Sequence, residues 1–226
     1  MTHLNRFQAA THTPKKKAPT REPTHIFFDI GGVLGTNGWD REQRARAMER
    51  FKLDADEFQC RHEEIGGTWE SGRIGIDEYL DTTVFYTPRE FTRGEFTQFM
   101  YSQSVGDDGA IAIARSLAKT GRYTMMTMNN ESDELNRYRI EHFGISKMFD
   151  AFLSSCWLGL RKPTHAFFER ALSIAQADPA TSLFIDDREQ NLTPARALGM
   201  NVILFKSAQQ LRSDLERAID LEPAGA

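Results

Sequence analysis

Three carboxylates of this chain stand where a strand would end. Asp29 closes the apolar run Ile26-Phe27-Phe28, and Asp186 and Asp187 close Leu183-Phe184-Ile185. Short apolar runs bounded by turn residues read as buried strands of a parallel sheet. In an open α/β sheet, ligands bind in the crevice at the carboxyl ends of the strands. Two such strands therefore aim Asp29, Asp186 and Asp187 into one crevice. Like charges gathered there repel unless a cation or a shared proton stands among them. With oxygen donors only, and no His or Cys close by in sequence, Mg²⁺ is the cation that suits the set.

The elements that must position these carboxylates follow from the rest of the pattern. Strands are expected at His25-Ile30, Tyr123-Met128, Phe149-Ser154, Ser182-Asp186 and Asn201-Phe205, with helical patterns at 108–120, 132–143, 164–176, 190–198 and 207–220. This alternation predicts an α/β fold: a Rossmann-like three-layer core, with a parallel sheet, right-handed crossovers and helices on both faces. Gly121, Gly144 and Gly199 are placed as helix stops. Residues 37–106 break the rhythm and read as helices at Arg41-Phe51, Ala55-Ile65, Ile76-Phe85 and Pro88-Met100. Asp54, Asp77 and Thr87 are their expected N-caps, with Pro88 at a first helical position. The domain reading is a core of 25–36 and 107–226, an inserted helical unit of 37–106, and a basic, disordered N-terminal arm of 1–24 that contains Lys15-Lys16-Lys17.

Composition narrows the function classes. A chain of 226 residues that is 40% hydrophobic and holds 16 Phe can bury a sizeable core. Its net charge of −4 is mild, so nothing global argues for nucleic acid or a membrane surface as a partner, and neither is expected. No apolar run approaches the ~18 residues of a membrane-spanning helix. Cys60 and Cys156 lie far apart and show no metal spacing, so free thiols in a reducing, cytoplasmic compartment are expected. Oligomeric state stays open between monomer and homodimer.

Three segments in order, Phe28-Asp29-Ile30-Gly31-Gly32-Val33-Leu34, Arg161-Lys162-Pro163 and Phe184-Ile185-Asp186-Asp187-Arg188-Glu189-Gln190-Asn191, resemble motifs of the haloacid dehalogenase-like (HAD) hydrolase superfamily. The resemblance spans roughly residues 25 to 206. It implies a Mg²⁺-dependent hydrolase, a phosphatase acting on a small phosphorylated metabolite, with Asp29 as the nucleophile that forms an aspartyl-phosphate. It implies a metal held by Asp29, the Gly31 carbonyl and Asp186, with Asp187 as a further ligand or supporting group. Lys162 would neutralise Asp29 and the phosphoryl charge as a compact point charge. Asn129 and Asn130 would stand at the second motif, where Asn129 takes the place of a hydroxyl and donates to a phosphoryl oxygen. Thr127 is the alternative, deeper in the strand. Gly32 would bring backbone close to the phosphate. Helices directly after the first strand resemble a cap that closes over the site, and its His62, Glu63, Trp69 and Glu70 are candidates to face the substrate.

Gly31 departs from the family. Most HAD phosphatases carry there a second Asp that protonates the leaving oxygen, help that typically contributes about 10²- to 10⁴-fold. The alternatives are therefore a catalytically weak or inactive HAD-fold protein that binds a phosphorylated ligand or partner, and a carbon–halogen hydrolase, which would not use the metal. If another proton donor exists, His62 of the cap is the first suspect.

Overall fold

The computed structural model describes residues 22–219. The arm expected over 1–24 lies, up to residue 21, outside the described residues. Thr24, placed with the arm above, already joins the core: its N–H donates to Thr181 O at 2.8 Å, and its carbonyl accepts from Thr124 N at 2.9 Å.

Strands β1 (His25–Phe28), β2 (Thr124–Asn129), β3 (Ala151–Ser154), β4 (Ser182–Asp186) and β5 (Asn201–Leu204) form one all-parallel sheet in the order β3-β2-β1-β4-β5. Alternation along β1 shows why both faces are covered. Ile26 and Phe28 enter one apolar cluster with Ile113, Leu117, Leu211 and Leu215, from helices α5 (Asp108–Thr120) and α10 (Ala208–Ala218). Phe27 enters the other with Phe167, Phe168 and Leu192, from α8 (His165–Ala175), which follows the one-turn helix α7 (Ser155–Leu158), and from α9 (Glu189–Ala197). Successive strand side chains point to opposite faces, so a continuous apolar run is buried only when helices lie on both. The three-layer α/β core is as expected, with strand ends within about three residues of their predicted positions. Gly121 ends α5 in the left-handed region (φ 62°), as a helix stop should.

Between β1 and α5 lie α1 (Arg41–Phe51), α2 (Ala55–Glu70), α3 (Ile76–Thr83) and α4 (Arg93–Ser102). They enclose a core of their own around Trp39, Phe58, Trp69, Tyr79, Leu80 and Phe96. Leu135, on helix α6 (Asp133–His142) of the sheet layer, is part of the same cluster.

Asp54 caps α2 through Glu57 N at 2.9 Å, as its type predicts. Two other starts differ. The helix expected from Pro88 begins at Arg93, because Thr92 and Glu95 form a reciprocal capping box. Asp77 is not a cap but a first-turn residue of α3; the N-cap is Gly75, which has no side chain to offer. Glu134 of α6 supplies the missing acceptor, taking Ile76 N at 2.7 Å and Trp69 Nε1 at 3.2 Å. No helix among the described residues is long and apolar enough to cross a membrane.

Candidate active site

β1 and β4 are hydrogen-bonded neighbours with Phe28 opposite Ile185, so the residues that follow them, Asp29 and Asp186, emerge side by side. Asp29, Asp186 and Asp187 each present an oxygen within 4.8 Å of the others. Lys162 Nζ lies between two of them, 2.9 Å from Asp29 Oδ2 and 2.6 Å from Asp186 Oδ2. All three of these ionic groups are buried: Asp29 is 7% exposed, Lys162 4% and Asp186 0%.

Each member is held by its neighbours. Asp186 accepts from Arg188 N at 2.8 Å and from Asn191 Nδ2 at 3.0 Å. Lys162 is fixed through its backbone: Asn130 Oδ1 accepts from Lys162 N, and Asn130 Nδ2 donates to Lys162 O, both at 2.9 Å. Pro163 stands between Lys162 and Thr164, the N-cap of α8. Burial pushes the Asp29 carboxyl up to about 8; Lys162 pulls it back, and Asp186 and Asp187 push it further up. Burial and then Asp186 likewise raise Asp187, while the two carboxylates hold the Lys162 ammonium above its usual range.

Lys162, with Arg188 shared between Asp187 (4.0 Å) and Asp40, leaves negative charge uncompensated among the three carboxylates, and Asp187 Oδ1 is buried with no hydrogen-bond partner. An orphaned buried oxygen in an all-oxygen donor set is what a hard divalent cation satisfies. Gly32 makes this approach feasible, because a Cβ there, in a left-handed turn (φ 77°), would overlap the Asp187 carboxylate. Gly32 thus sits against Asp187 and is not among the residues lining the crevice, contrary to the phosphate contact expected of it.

The crevice has a volume of about 310 Å³ and is lined by Asp29, Gly31, Asn130 and Lys162 from the sheet side and by Asp40, Arg44, His62 and Glu70 from the helical insertion. Asn129, expected at the phosphoryl group, is not among the residues lining the crevice. Its amide points into the interior, where Nδ2 donates to Asn136 Oδ1 at 2.9 Å and Oδ1 accepts from Ser154 Oγ at 2.9 Å. At 1% exposure and with both ends engaged, it is not positioned to meet a phosphoryl group. Thr127, on the same strand face, donates to Asn129 Oδ1 at 3.3 Å and is equally interior. Asn130 lines the crevice, but its amide is committed to Lys162.

His62 lines the crevice as expected, yet it is unsuited to be a proton donor. Burial, reinforced by Arg44, lowers its pKa to about 4, so the imidazole is uncharged near neutral pH. Glu70 also lines it, paired with Arg161 at 2.6 Å. Trp69 instead stacks on Tyr79 in the insertion's core, with ring centroids 4.1 Å apart. Glu63 is exposed and holds Gln59 Nε2 at 2.9 Å.

Sequence reasoning missed a buried ion pair beside Gly31. Arg139 Nη1 lies 2.9 Å from Glu131 Oε2, with side chains 2% and 6% exposed. Glu131 and Asn37 line the crevice. It also missed Arg44, Asp40 and Arg188, the last two ion-paired to each other. Arg44 carried a legible signal: at i, i+3, i+4 and i+7 it shares a helix face with Ala47, Met48 and Phe51, where a charge is out of place.

A family model for haloacid dehalogenase-like hydrolases matches residues 108–205, which include Lys162, Asp186 and Asp187. The chain belongs to the HAD superfamily. A HAD family enzyme of Bacteroides thetaiotaomicron superposes with a TM-score of 0.72 at 21% identity, over 83% of this chain and 95% of that one. The same enzyme has been solved with magnesium and inorganic phosphate (TM-score 0.70, 22% identity, 82% and 95% covered). Among curated proteins, the bifunctional epoxide hydrolase 2 of Mus musculus is 30% identical over 84% of this chain, and a sesquiterpene phosphatase of Aspergillus oryzae is 24% identical over 76% of this chain and 74% of its own length. The chain spans only 38% of the mouse protein and 24% of its rat counterpart.

Proposed function

We propose that this HAD chain is a Mg²⁺-dependent phosphatase of a small phosphorylated metabolite, with Asp29 as nucleophile. The observation that carries the reading is the buried Asp29–Lys162–Asp186 bridge with Asp187 within reach, at the carboxyl ends of two adjacent strands. Asp29, Asp186 and Asp187 would hold Mg²⁺, and the Gly31 carbonyl is the backbone ligand carried over from the family pattern. When bound, the ion supplies charge neutralisation for the phosphoryl oxygens. The remaining work falls to the chain. An Asp29 oxygen attacks phosphorus, the bond to the substrate's ester oxygen breaks, and the alkoxide or aryloxide leaves. Water then attacks the aspartyl-phosphate, which releases phosphate and regenerates Asp29. Lys162 offsets charge throughout and is kept in place by the paired hydrogen bonds of Asn130. The helical insertion would act as the lid, its Asp40 and Glu70 latched to core residues Arg188 and Arg161.

The crystallised relative that holds magnesium and phosphate, and the relative named as a phosphatase, support this reading. One observation favours a second one, a weak or inactive phosphate-binding protein. Gly31 offers no carboxyl, and the space beside it belongs to Asn37 and Arg139. Purified protein assayed with para-nitrophenyl phosphate separates the two. Turnover that requires Mg²⁺ and disappears in Asp29→Asn is expected, whereas phosphate binding without turnover would establish the second. Halide release from 2-chloropropionate without Mg²⁺ would instead mark a dehalogenase.

A further inference from the structure

Four cations line the crevice, and three are paired: Lys162 with Asp29 and Asp186, Arg161 with Glu70, and Arg188 with Asp40. Glu131, the remaining acid of the lining, is taken by Arg139. Arg44 is left over. It is 7% exposed, and among the described residues no carboxylate lies within 4 Å of it. Its Nη1 donates to Trp39 O at 2.6 Å and its Nε to Gln59 Oε1 at 3.4 Å, both uncharged acceptors. Asp40 and Glu70 stand near enough to influence it, but each is bound to another arginine. A buried charge without a counter-ion is costly. A bound anion would supply the missing charge.

The wall beside Arg44 offers a second donor. Trp39 Nε1 can only donate, and it does so to Tyr79 Oη at 2.8 Å. The Tyr79 hydroxyl keeps its own proton and can donate it to His62 Nδ1, also at 2.8 Å. An uncharged His62 that accepts at Nδ1 carries its own proton on Nε2, and this nitrogen has no protein partner among the described residues. Arg44 and His62 belong to the insertion (α1 and α2), whereas Lys162 and the carboxylates belong to the sheet. Apart from Trp39 and Pro163, the lining side chains are polar or charged, which leaves no wall for a prenyl chain.

We propose that Arg44, assisted by His62 Nε2–H, binds a second anionic group of the substrate, a carboxylate or second phosphoryl, on the insertion's side of the crevice. This rests on the phosphatase reading and names its substrate class: compact, doubly anionic phosphate esters rather than neutral or lipophilic ones. The guanidinium fork matches either group through two parallel hydrogen bonds.

Calorimetric titration of the full chain in Mg²⁺ tests this without requiring turnover. The probes are inorganic phosphate, propylphosphonate, 3-phosphonopropionate and propane-1,3-bisphosphonate. The parent is expected to bind one or both doubly anionic probes at least about tenfold more tightly than propylphosphonate, and which of the two is preferred identifies the group. Arg44→Met should erase that preference and Arg44→Lys should keep only part of it, since an ammonium supplies the charge without the fork, with circular dichroism confirming that both fold. Should Arg44→Met be unfolded, His62→Phe is expected to shrink the same preference. Equal binding of all three phosphonates, tighter binding of farnesyl phosphate, or a preference that survives Arg44→Met would overturn the proposal. If inorganic phosphate binds and the preference is absent, only this inference falls; if no probe binds, inorganic phosphate included, the phosphatase reading falls with it.

Discussion

Position 31 concentrates the chemical question, because a missing acid matters only as much as the leaving group demands. Aryl oxides leave without a proton and alkyl oxides need one, so a phosphatase with Gly31 should turn over aryl phosphates far faster than alkyl phosphates. The structure makes the repair experiment clean. Gly31 is not in the left-handed region, and a Cβ there would meet Asn37 Oδ1 at 3.4 Å and Arg139 Nη1 at 3.7 Å, both ordinary contacts. The loop can therefore accept Gly31→Asp without backbone strain. The new carboxyl would, however, lie beside the Arg139 guanidinium, which favours its ionised form and weakens it as an acid. The expected gain on alkyl phosphates is accordingly near the low end of general-acid help, about 10²-fold or less, with little change on para-nitrophenyl phosphate. The ratio of aryl to alkyl kcat/KM in parent and variant is the measurement. A folded variant with an unchanged ratio would mean that the parent already has a proton donor, and the uncharged His62 does not qualify.

At the scale of elements, what could be read from the chain was whatever depends on local pattern. The buried strands β1 and β4, with carboxylates just beyond Phe28 and at Asp186, follow from apolar runs that stop at a turn, and the cap at Asp54 follows from one side chain and one amide three residues later. What could not be read depends on partners far away in sequence. Whether Asn129 faces the crevice or the interior is decided by Asn136 and Ser154, which only the folded sheet brings to it. The start of α3 is likewise set by Glu134, 58 residues away. That tie carries a prediction. Glu134 caps α3 and anchors Trp69 of α2 from the core helix α6, so Glu134→Ala should cost about 1–2 kcal/mol, the scale of a lost N-cap, measured by denaturant unfolding. It should also speed amide exchange at the start of α3 ahead of the sheet. Uniform exchange across the molecule would show that the insertion and the core open only together. Two local signals were legible: Thr92-Arg93-Gly94-Glu95 is a capping box in plain sequence, and Arg44, on the apolar face of α1, is a visible anomaly.

For the molecule as a whole, the sheet and the helical insertion line one crevice with charges of both signs, and the balance at the strand ends depends on what is bound. Without metal, three carboxylates face one lysine, and the buried Asp29 titrates near 8 instead of near its ordinary 3.8. A carboxyl whose pKa is raised on folding favours the folded state most fully below the unfolded value, and that contribution is lost as pH climbs through the folded one. Metal-free protein should therefore lose thermal stability between about pH 6.5 and 8.5. The His62 contribution, whose pKa is lowered to about 4, changes only as pH falls below its ordinary 6.5, so it lies outside this window. Mg²⁺ replaces the proton at the carboxylates and stabilises by mass action, RT ln(1 + [L]/Kd), with an apparent Kd that improves as the competing protons leave. Melting temperatures taken across this window should fall in EDTA, stay nearly level in saturating Mg²⁺, and diverge most at pH 8.5. Asp29→Asn, which cannot ionise at that position, should flatten the EDTA curve, and Asp186→Asn should abolish most of the gain from Mg²⁺. Were the EDTA slope to persist in Asp29→Asn, its origin would lie elsewhere in the molecule. Were Mg²⁺ to stabilise Asp186→Asn as much as the parent, the ion would not be held at the ends of β1 and β4.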